Sequence, residues 1–445
     1  MILRTEIWAR TKKKVSLILP RGRFARSVAM LAGGTALGQA ITVLVSPILT
    51  RLYTPEDFGI FGVYASILGI VTVVASLRYE YALPLPEDDE TAANILVLCF
   101  LLLFGMTTLS WLVINSLGNQ IVTWANVPGL KPYLWLIPLG MLGAGTYQIL
   151  NYWAVRKRDF SRIARTRLSR GLARAALQVG VGFVHSGPLG LLLGQLAGET
   201  AGSTSLGLAA WRKDRACFQA VSLQGIRRAG VRYKRFPLFS SWADLLEALG
   251  LQVPQILFAA FYGAEVAGWF ALGQRLIAAP LNIVVDSVAQ VYFGEAARMP
   301  RDDPKVMRKL FLKLTCRLAL TGGLPVALIC TLAPWFFTII FGPRWEMAGR
   351  YVQIMGIMFA VRFAIVSLSH TLNILERQDL YFLWEGIRLA LVVGSLSAGR
   401  VLKFSDIPAV VAYSLSMMTA YVVLWGLVWL ALQSKSKMAE REIEK

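Results

Sequence analysis

YTPEDFGIF (residues 53–61) and YGAEVAGWF (residues 262–270) share the pattern Y-x-x-E-x-x-G-x-F at an offset of 209 residues. Each copy follows a long apolar run that carries a proline, Pro47 in the first and Pro254 in the second, and each opens onto another apolar run. Four shared positions in nine is a modest signal. Its weight comes from location, because both copies fall at the turn between the first and second apolar runs of a half. The chain is therefore read as a duplication. Six runs per half is an even number, so both halves enter the membrane from the same side. That is the parallel repeat, with a pseudo-two-fold axis along the membrane normal.

The runs themselves set the fold class. Of 445 residues, 56% are hydrophobic and only 16% charged, and many of the apolar stretches reach the roughly 20 residues that span a bilayer core. Twelve spans are expected, near 27–50, 57–77, 92–115, 132–154, 166–185, 188–211, 236–261, 264–293, 311–340, 347–373, 380–399 and 406–432. The expectation is an all-α polytopic membrane protein with about twelve transmembrane helices, in two pseudo-symmetric six-helix bundles around a central cavity. The short alternating segments of a β-barrel are not present. Residues 311–340 form a long run broken at Pro325 and Pro334 and are expected to tilt or to run past the membrane.

The formal charge of +20 raises the question of nucleic acid, and its placement argues against it. The basic residues gather in the N-terminal tail (1–26), in RKRDFSRIARTR (156–167), in the linker 212–235, in RMPRDDPKVMRK (298–309) and in the C-terminal tail (434–445). All of these fall on one side of an alternating topology. That is the positive-inside pattern, with both termini cytoplasmic and the basic excess facing anionic membrane lipids. The linker separates a bundle at 27–211 from one at 236–433. Nothing at the N-terminus reads as a cleaved signal; the basic tail runs into an apolar anchor. Cys99, Cys217, Cys316 and Cys330 form no C-x-x-C pair, and two distant histidines, His185 and His370, suggest no metal site. Neither a Walker A sequence nor a nucleophile elbow occurs, so ATP hydrolysis and serine hydrolysis have no support and the protein is not expected to be an enzyme.

Ionisable residues inside spans cost about 2.5–3.5 kcal/mol each at mid-depth and usually face a cavity or a partner. Arg275 and Arg362 lie deep by their position along their helices, and neither has an acid three or four residues away. They are the leading candidates to attract an anionic ligand, since guanidinium stays charged and meets phosphate oxygens bidentately. Arg388 has Glu385 one turn away and reads equally well as half of an ion pair. Arg174 continues the basic face of Arg167 and Arg170 and reads as snorkelling toward headgroups. Glu199, Asp244, Glu247 and Asp286 are candidates for coupling to a proton or sodium gradient; no other cofactor is expected.

Two blocks carry a family resemblance. SPILTRLYTPEDFGIFGVYASI (46–67) with LRYEYALPLPEDDETAANIL (77–96) resembles the N-terminal region of Wzx-like oligosaccharide flippases, the polysaccharide biosynthesis membrane proteins of the multidrug/oligosaccharidyl-lipid/polysaccharide exporter superfamily. WFALGQRLIAAPLNIVVDSVAQVYF (269–293) and SHTLNILERQDLYFLWEGIRL (369–389) resemble the matching parts of the second half. The resemblance implies a central cationic cavity, alternating access, and a substrate made of an oligosaccharide on an undecaprenyl-pyrophosphate carrier. It implies residence in the bacterial inner membrane beside a polysaccharide polymerase and a chain-length regulator. On that reading Arg275 and Arg362 contact substrate, followed by Arg51, Arg78 and Arg388, with Arg51 alternatively capping its turn through Glu56 or Asp57. The competing readings are a peptidoglycan-precursor flippase, a drug–cation antiporter, for which the intramembrane arginines are unsuited, and a polysaccharide polymerase or ligase, which would carry a large loop on the side opposite the basic segments.

Overall fold

The computed structural model describes residues 23–296 and 304–443, and every described element is helical. The first half comprises α1 (Arg23–Leu52), α2 (Pro55–Val73), α3 (Asp89–Ala125), α4 (Leu136–Arg156), α5 (Phe160–Val184), α6 (Leu189–Thr200) and α7 (Ser203–Lys213). Two short helices, α8 (Arg215–Gln219) and α9 (Leu223–Arg232), form the linker. The second half comprises α10 (Ser241–Tyr262), α11 (Ala264–Ala296), α12 (Pro304–Leu318), α13 (Leu324–Thr331), α14 (Ala333–Phe341), α15 (Glu346–Val366), α16 (Thr371–Ile374), α17 (Gln378–Val401) and α18 (Asp406–Ile443).

Nine stretches among the described residues are long and apolar enough to cross a membrane: those of α1, α2, α3, α10, α11, α12 with α13, α15 with α16, α17 and α18. The twelve expected spans differ from these nine at the fourth, fifth and sixth. The physical reasons are local. Gln148 and Asn151 sit inside α4, and α5 carries Arg162, Arg165, Arg167, Arg170 and Arg174 along its length. The sixth span is broken after Thr200 at Gly202, whose φ of +93° suits glycine and few other residues. The run at 311–340 is likewise three pieces, because a π-helical turn at Ala319–Gly323 precedes α13, and Pro325 and Pro334 stand in the first turns of α13 and α14. Proline is tolerated there because the first-turn N–H has no helical acceptor.

The duplicated motif organises the join between halves. A Cβ at Gly59 would run into the carbonyl oxygen of Ala264, and one at Gly268 would run into that of Pro55. These two contacts are related by the offset of 209 residues, so the pseudo-two-fold axis passes between α2 and α11. The motif tyrosines repeat as well. Tyr53 Oη lies 2.7 Å from where a Cβ would stand at Gly182, near the end of α5, and Tyr262 Oη lies 3.2 Å from the same point at Gly399, near the end of α17. Small residues here let backbones approach, which is how helices gain packing energy in lipid. Thr54 and Asp57 cap α2 reciprocally, with Thr54 N donating to Asp57 Oδ2 at 2.9 Å and Asp57 N to Thr54 Oγ1 at 3.2 Å. That corrects the capping role considered for Arg51, which is exposed and has no ion pair with a described residue.

On the basic side, the segment after α2 is pinned by one residue. Arg156 Nη1 donates to Leu83 O at 3.2 Å and Pro86 O at 2.6 Å, while Nη2 donates to Asp88 O and Asp89 Oδ1, both at 3.0 Å. The planar five-donor fork of arginine suits this, and lysine cannot reproduce it. Arg156→Ala is therefore expected to destabilise the protein by about 2–3 kcal/mol and to expose 83–89 to protease. Arg156→Lys should recover only part of the loss in thermal unfolding of the purified protein. The linker also folds onto the first half. Trp153 Nε1 donates to Asp214 Oδ2 at 3.0 Å, Ser222 N to Asn94 Oδ1 at 3.1 Å, and Tyr79 Oη to Gly230 O at 2.9 Å. Lys157 bridges Asp89 and Asp214 at 2.7 and 3.1 Å. Burial opposes its charge, but these carboxylates outweigh burial and hold its pKa above the ordinary lysine value.

Candidate functional site

Arg167, Arg170, Arg174 and Gln178 recur every three or four residues on α5 and so share one face. That face turns toward α1 and the interior, and not toward lipid headgroups as the snorkelling reading has it. The three arginines, with Thr35, Gln39 and Thr42 of α1, line a cavity of about 230 Å³. At about 1.5 Å per residue, the row descends from the basic side to well inside the membrane.

One carboxylate serves this row. Glu199 of α6 pairs with Arg170 and, at 3.1 Å, with Arg174 Nη2, and it also accepts from Gln195 Nε2 at 2.9 Å. Arg170 further donates to Gly198 O at 2.5 Å and lies 4.1 Å over the Tyr147 ring. Glu199, a coupling candidate from its sequence, is the carboxylate that pairs with both arginines. Beyond Arg174, Gln178 receives the second half: Arg275 Nη2 of α11 donates to Gln178 Oε1 at 3.3 Å. The remaining Arg275 atoms Nε and Nη1 are out of solvent and have no hydrogen-bond partner among the described residues, and the same is true of Arg174 Nε. Two guanidiniums from opposite halves thus present unused donors around a neutral amide.

A second cavity, of about 220 Å³, lies on the join itself. Phe61 and Gly62 of α2, Gln252 and Gln255 of α10, Phe270 and Gln274 of α11, Arg362 of α15 and Tyr413 of α18 contribute to its wall. Arg362 is the one charged residue in that lining among the described residues. Its Nη2 donates to Asn282 Oδ1 at 2.6 Å, so its partner is neutral too.

The other candidates stand elsewhere. Arg78 lies beyond α2 on the basic side, with Nε 2.7 Å from Asp244 Oδ2 and Nη1 3.3 Å from Glu80 Oε1. Tyr81 Oη donates to the same Asp244 oxygen at 2.8 Å, and Glu80 is held by Ser76 Oγ at 2.5 Å and Gln148 Nε2 at 2.9 Å. Arg78 and Asp244 therefore bridge the two halves and lie outside both cavity linings. Arg388 is buried against Glu385 as an i,i+3 pair, donates to Glu247 O at 3.1 Å and lies 4.9 Å over the Trp384 ring. Its carboxylate partner is Glu385, and its contact with Glu247 is to the backbone carbonyl. The side chain of Asp286 is outside those described. No group of His, Cys, Asp and Glu among the described residues could hold a metal ion. Sequence reasoning passed over Gln178, Asn282 and the inward direction of the α5 arginines. The arginine spacing was the available signal; the partners lie 80 to 97 residues away.

Apolar helices long enough to cross a membrane, joined about a two-fold with a cavity at the join, make this a multi-pass membrane protein. The family model for polysaccharide biosynthesis proteins matches residues 48–349, and the chain belongs to that family. It is 28% identical over 163 residues to the teichuronic acid biosynthesis protein TuaB of Bacillus subtilis, covering 37% of this chain and only 34% of that relative. It is 20% identical to the succinoglycan biosynthesis transport protein ExoT of Rhizobium meliloti, over 80% of this chain and 70% of the relative. Among solved structures, an inward-facing multidrug resistance MATE family transporter of the MOP superfamily superposes with a TM-score of 0.69 at 14% identity, covering 90% of this chain and 96% of that one. The lipid II flippase MurJ superposes at 0.62 and 11% identity, covering 92% and 91%. At such identities the superpositions show the fold alone, and the family shows a protein of polysaccharide biosynthesis.

Proposed function

We propose that this protein flips a lipid-anchored oligosaccharide, carried on a polyprenyl diphosphate, from the cytoplasmic to the opposite leaflet of the bacterial inner membrane for surface polysaccharide assembly. The observation that carries this reading is the arginine row of α5 converging on Arg275. It offers a graded path of guanidiniums with one carboxylate, which suits a diphosphate and disfavours a cationic drug. The basic loops would lie in the cytoplasm, so the row begins where the carrier is loaded. The cavity with Arg362, three glutamines and aromatic rings is where the glycan would sit.

Coupling would come from Glu385, the carboxylate paired with Arg388, and from Glu247, whose backbone carbonyl takes the same guanidinium. One proton or sodium ion there changes the charge balance of a buried cluster, a known way to bias a two-state element. A polymerase and chain-length regulator would receive the product. The runner-up, a flippase for a peptidoglycan precursor, shares the diphosphate and differs in the headgroup that the diphosphate carries.

The test is reconstitution in liposomes loaded with lipid-linked oligosaccharides, scoring glycan accessible on the far leaflet. The expected result is translocation of a surface-polysaccharide repeat unit at least tenfold faster than in empty liposomes, and faster than the peptidoglycan precursor. A folded protein that moves neither lipid overturns the reading. One that transfers sugar between lipids in detergent replaces it with a polymerase or ligase.

A further inference from the structure

The duplicated motif has a role beyond holding the halves together. Its position 7, Gly59 or Gly268, meets the carbonyl of the other half's first helical residue, Ala264 or Pro55. Its last position, Phe61 or Phe270, lines the central cavity. On the other side of the glycines, away from the basic loops, lies a separate pocket of about 420 Å³ whose lining includes Pro55, Trp269 and Arg344. Adjacent residues of one helix, Trp269 and Phe270, therefore face different cavities, and the glycine contacts lie between the two. Trp345 closes the same barrier. It is 1% exposed, its Nε1 donates to Thr50 O at 3.1 Å, and its ring meets Phe58 edge-on at 5.0 Å. No ion pair crosses this barrier among the described residues, whereas Arg78 and Asp244 pair across the basic side.

Resting on the transporter reading, we propose that the Gly59–Gly268 contact is the gate between the central cavity and the outer pocket. It is held by close backbone fit and one indole hydrogen bond, and it parts to release the glycan. The motif glycines are there because any side chain would prop the gate open. Two-fold placement makes each half supply one glycine and one carbonyl, so both contacts break in a single movement of the halves.

The gate can be followed without any substrate. Glu56 and Glu265 are exposed and stand beside it on opposite halves. Spin labels at Glu56→Cys and Glu265→Cys, in a background with Cys217→Ser and Cys316→Ser, report the separation across the gate by pulsed electron resonance in liposomes. The expected result is a dominant short distance in this background. Gly268→Leu should shift most of the population to a longer distance, and Trp345→Phe, which adds no bulk, should raise the long-distance fraction at least twofold. Distributions unchanged by both substitutions overturn the proposal. A reducible cross-link between the two cysteines should lower oligosaccharide translocation more than tenfold, with recovery on reduction. Full transport in the cross-linked protein also overturns it. If the uncross-linked protein moves no oligosaccharide, the flippase reading fails, while the distance measurement still decides whether the gate exists.

Discussion

Arg275→Ala is expected to slow translocation of a diphosphate-linked oligosaccharide by roughly ten- to a hundredfold while leaving the fold intact. Hydrogen bonds to a charged group contribute about 1.5–3 kcal/mol, and each 1.4 kcal/mol is a factor of ten. Among the described residues Arg275 makes one hydrogen bond, to a neutral amide at 3.3 Å, and two of its nitrogens have no partner. Its loss therefore removes little that stabilises the fold. A buried guanidinium without a counter-ion is itself a cost, so the melting temperature of Arg275→Ala should equal or exceed that of wild type. Transport lost with stability kept identifies a ligand-directed charge. Transport kept within twofold would remove Arg275 from the substrate path. Arg174→Ala should behave differently, because it strips Glu199 of one partner, lowering stability and transport together.

The opposite pattern is expected at Arg388. Its side chain is 5% exposed and that of Glu385 2%, so Arg388→Ala leaves a carboxylate buried without its cation. Breaking one side of a buried pair costs about 3–5 kcal/mol, enough to abolish folded protein in detergent. Replacing both partners by neutral side chains of similar volume, Glu385→Gln with Arg388→Met, should restore most of the stability. If Glu247 and Glu385 couple transport to an ion, the restored double variant will still have lost the dependence of translocation on an imposed proton or sodium gradient. Recovery of stability together with normal gradient dependence would place the coupling elsewhere. A single Arg388→Ala variant as stable as wild type would show the cluster to be solvated.

Much of the architecture is legible along the chain. Apolar runs report spans because the bilayer offers no hydrogen bonds to an unpaired backbone. The exceptions are instructive. The fourth and fifth helices fall short of span-like hydropathy because they carry polar residues on inward faces and hydropathy averages over all faces, whereas the sixth falls short in length because Gly202 breaks it. Arg174 reads as a headgroup contact because it continues the basic face of Arg167 and Arg170. Its spacing with Arg167 and Arg170 establishes a shared face, but not which way that face points.

The sequence alone determined that this chain is helical, membrane-embedded and duplicated, and which arginines lie deep. Those properties belong to single segments, or to two segments compared with each other, and they survive without knowledge of what packs on what. Only the tertiary structure decided the roles. It set Gln178 against Arg275, Glu199 between Arg170 and Arg174, and Arg78 on Asp244, and it placed the motif glycines of two halves against each other's carbonyls. An intramembrane charge has its function set by its neighbours, and here those neighbours come from helices distant in the chain. Packing brought them together, and no local pattern records it.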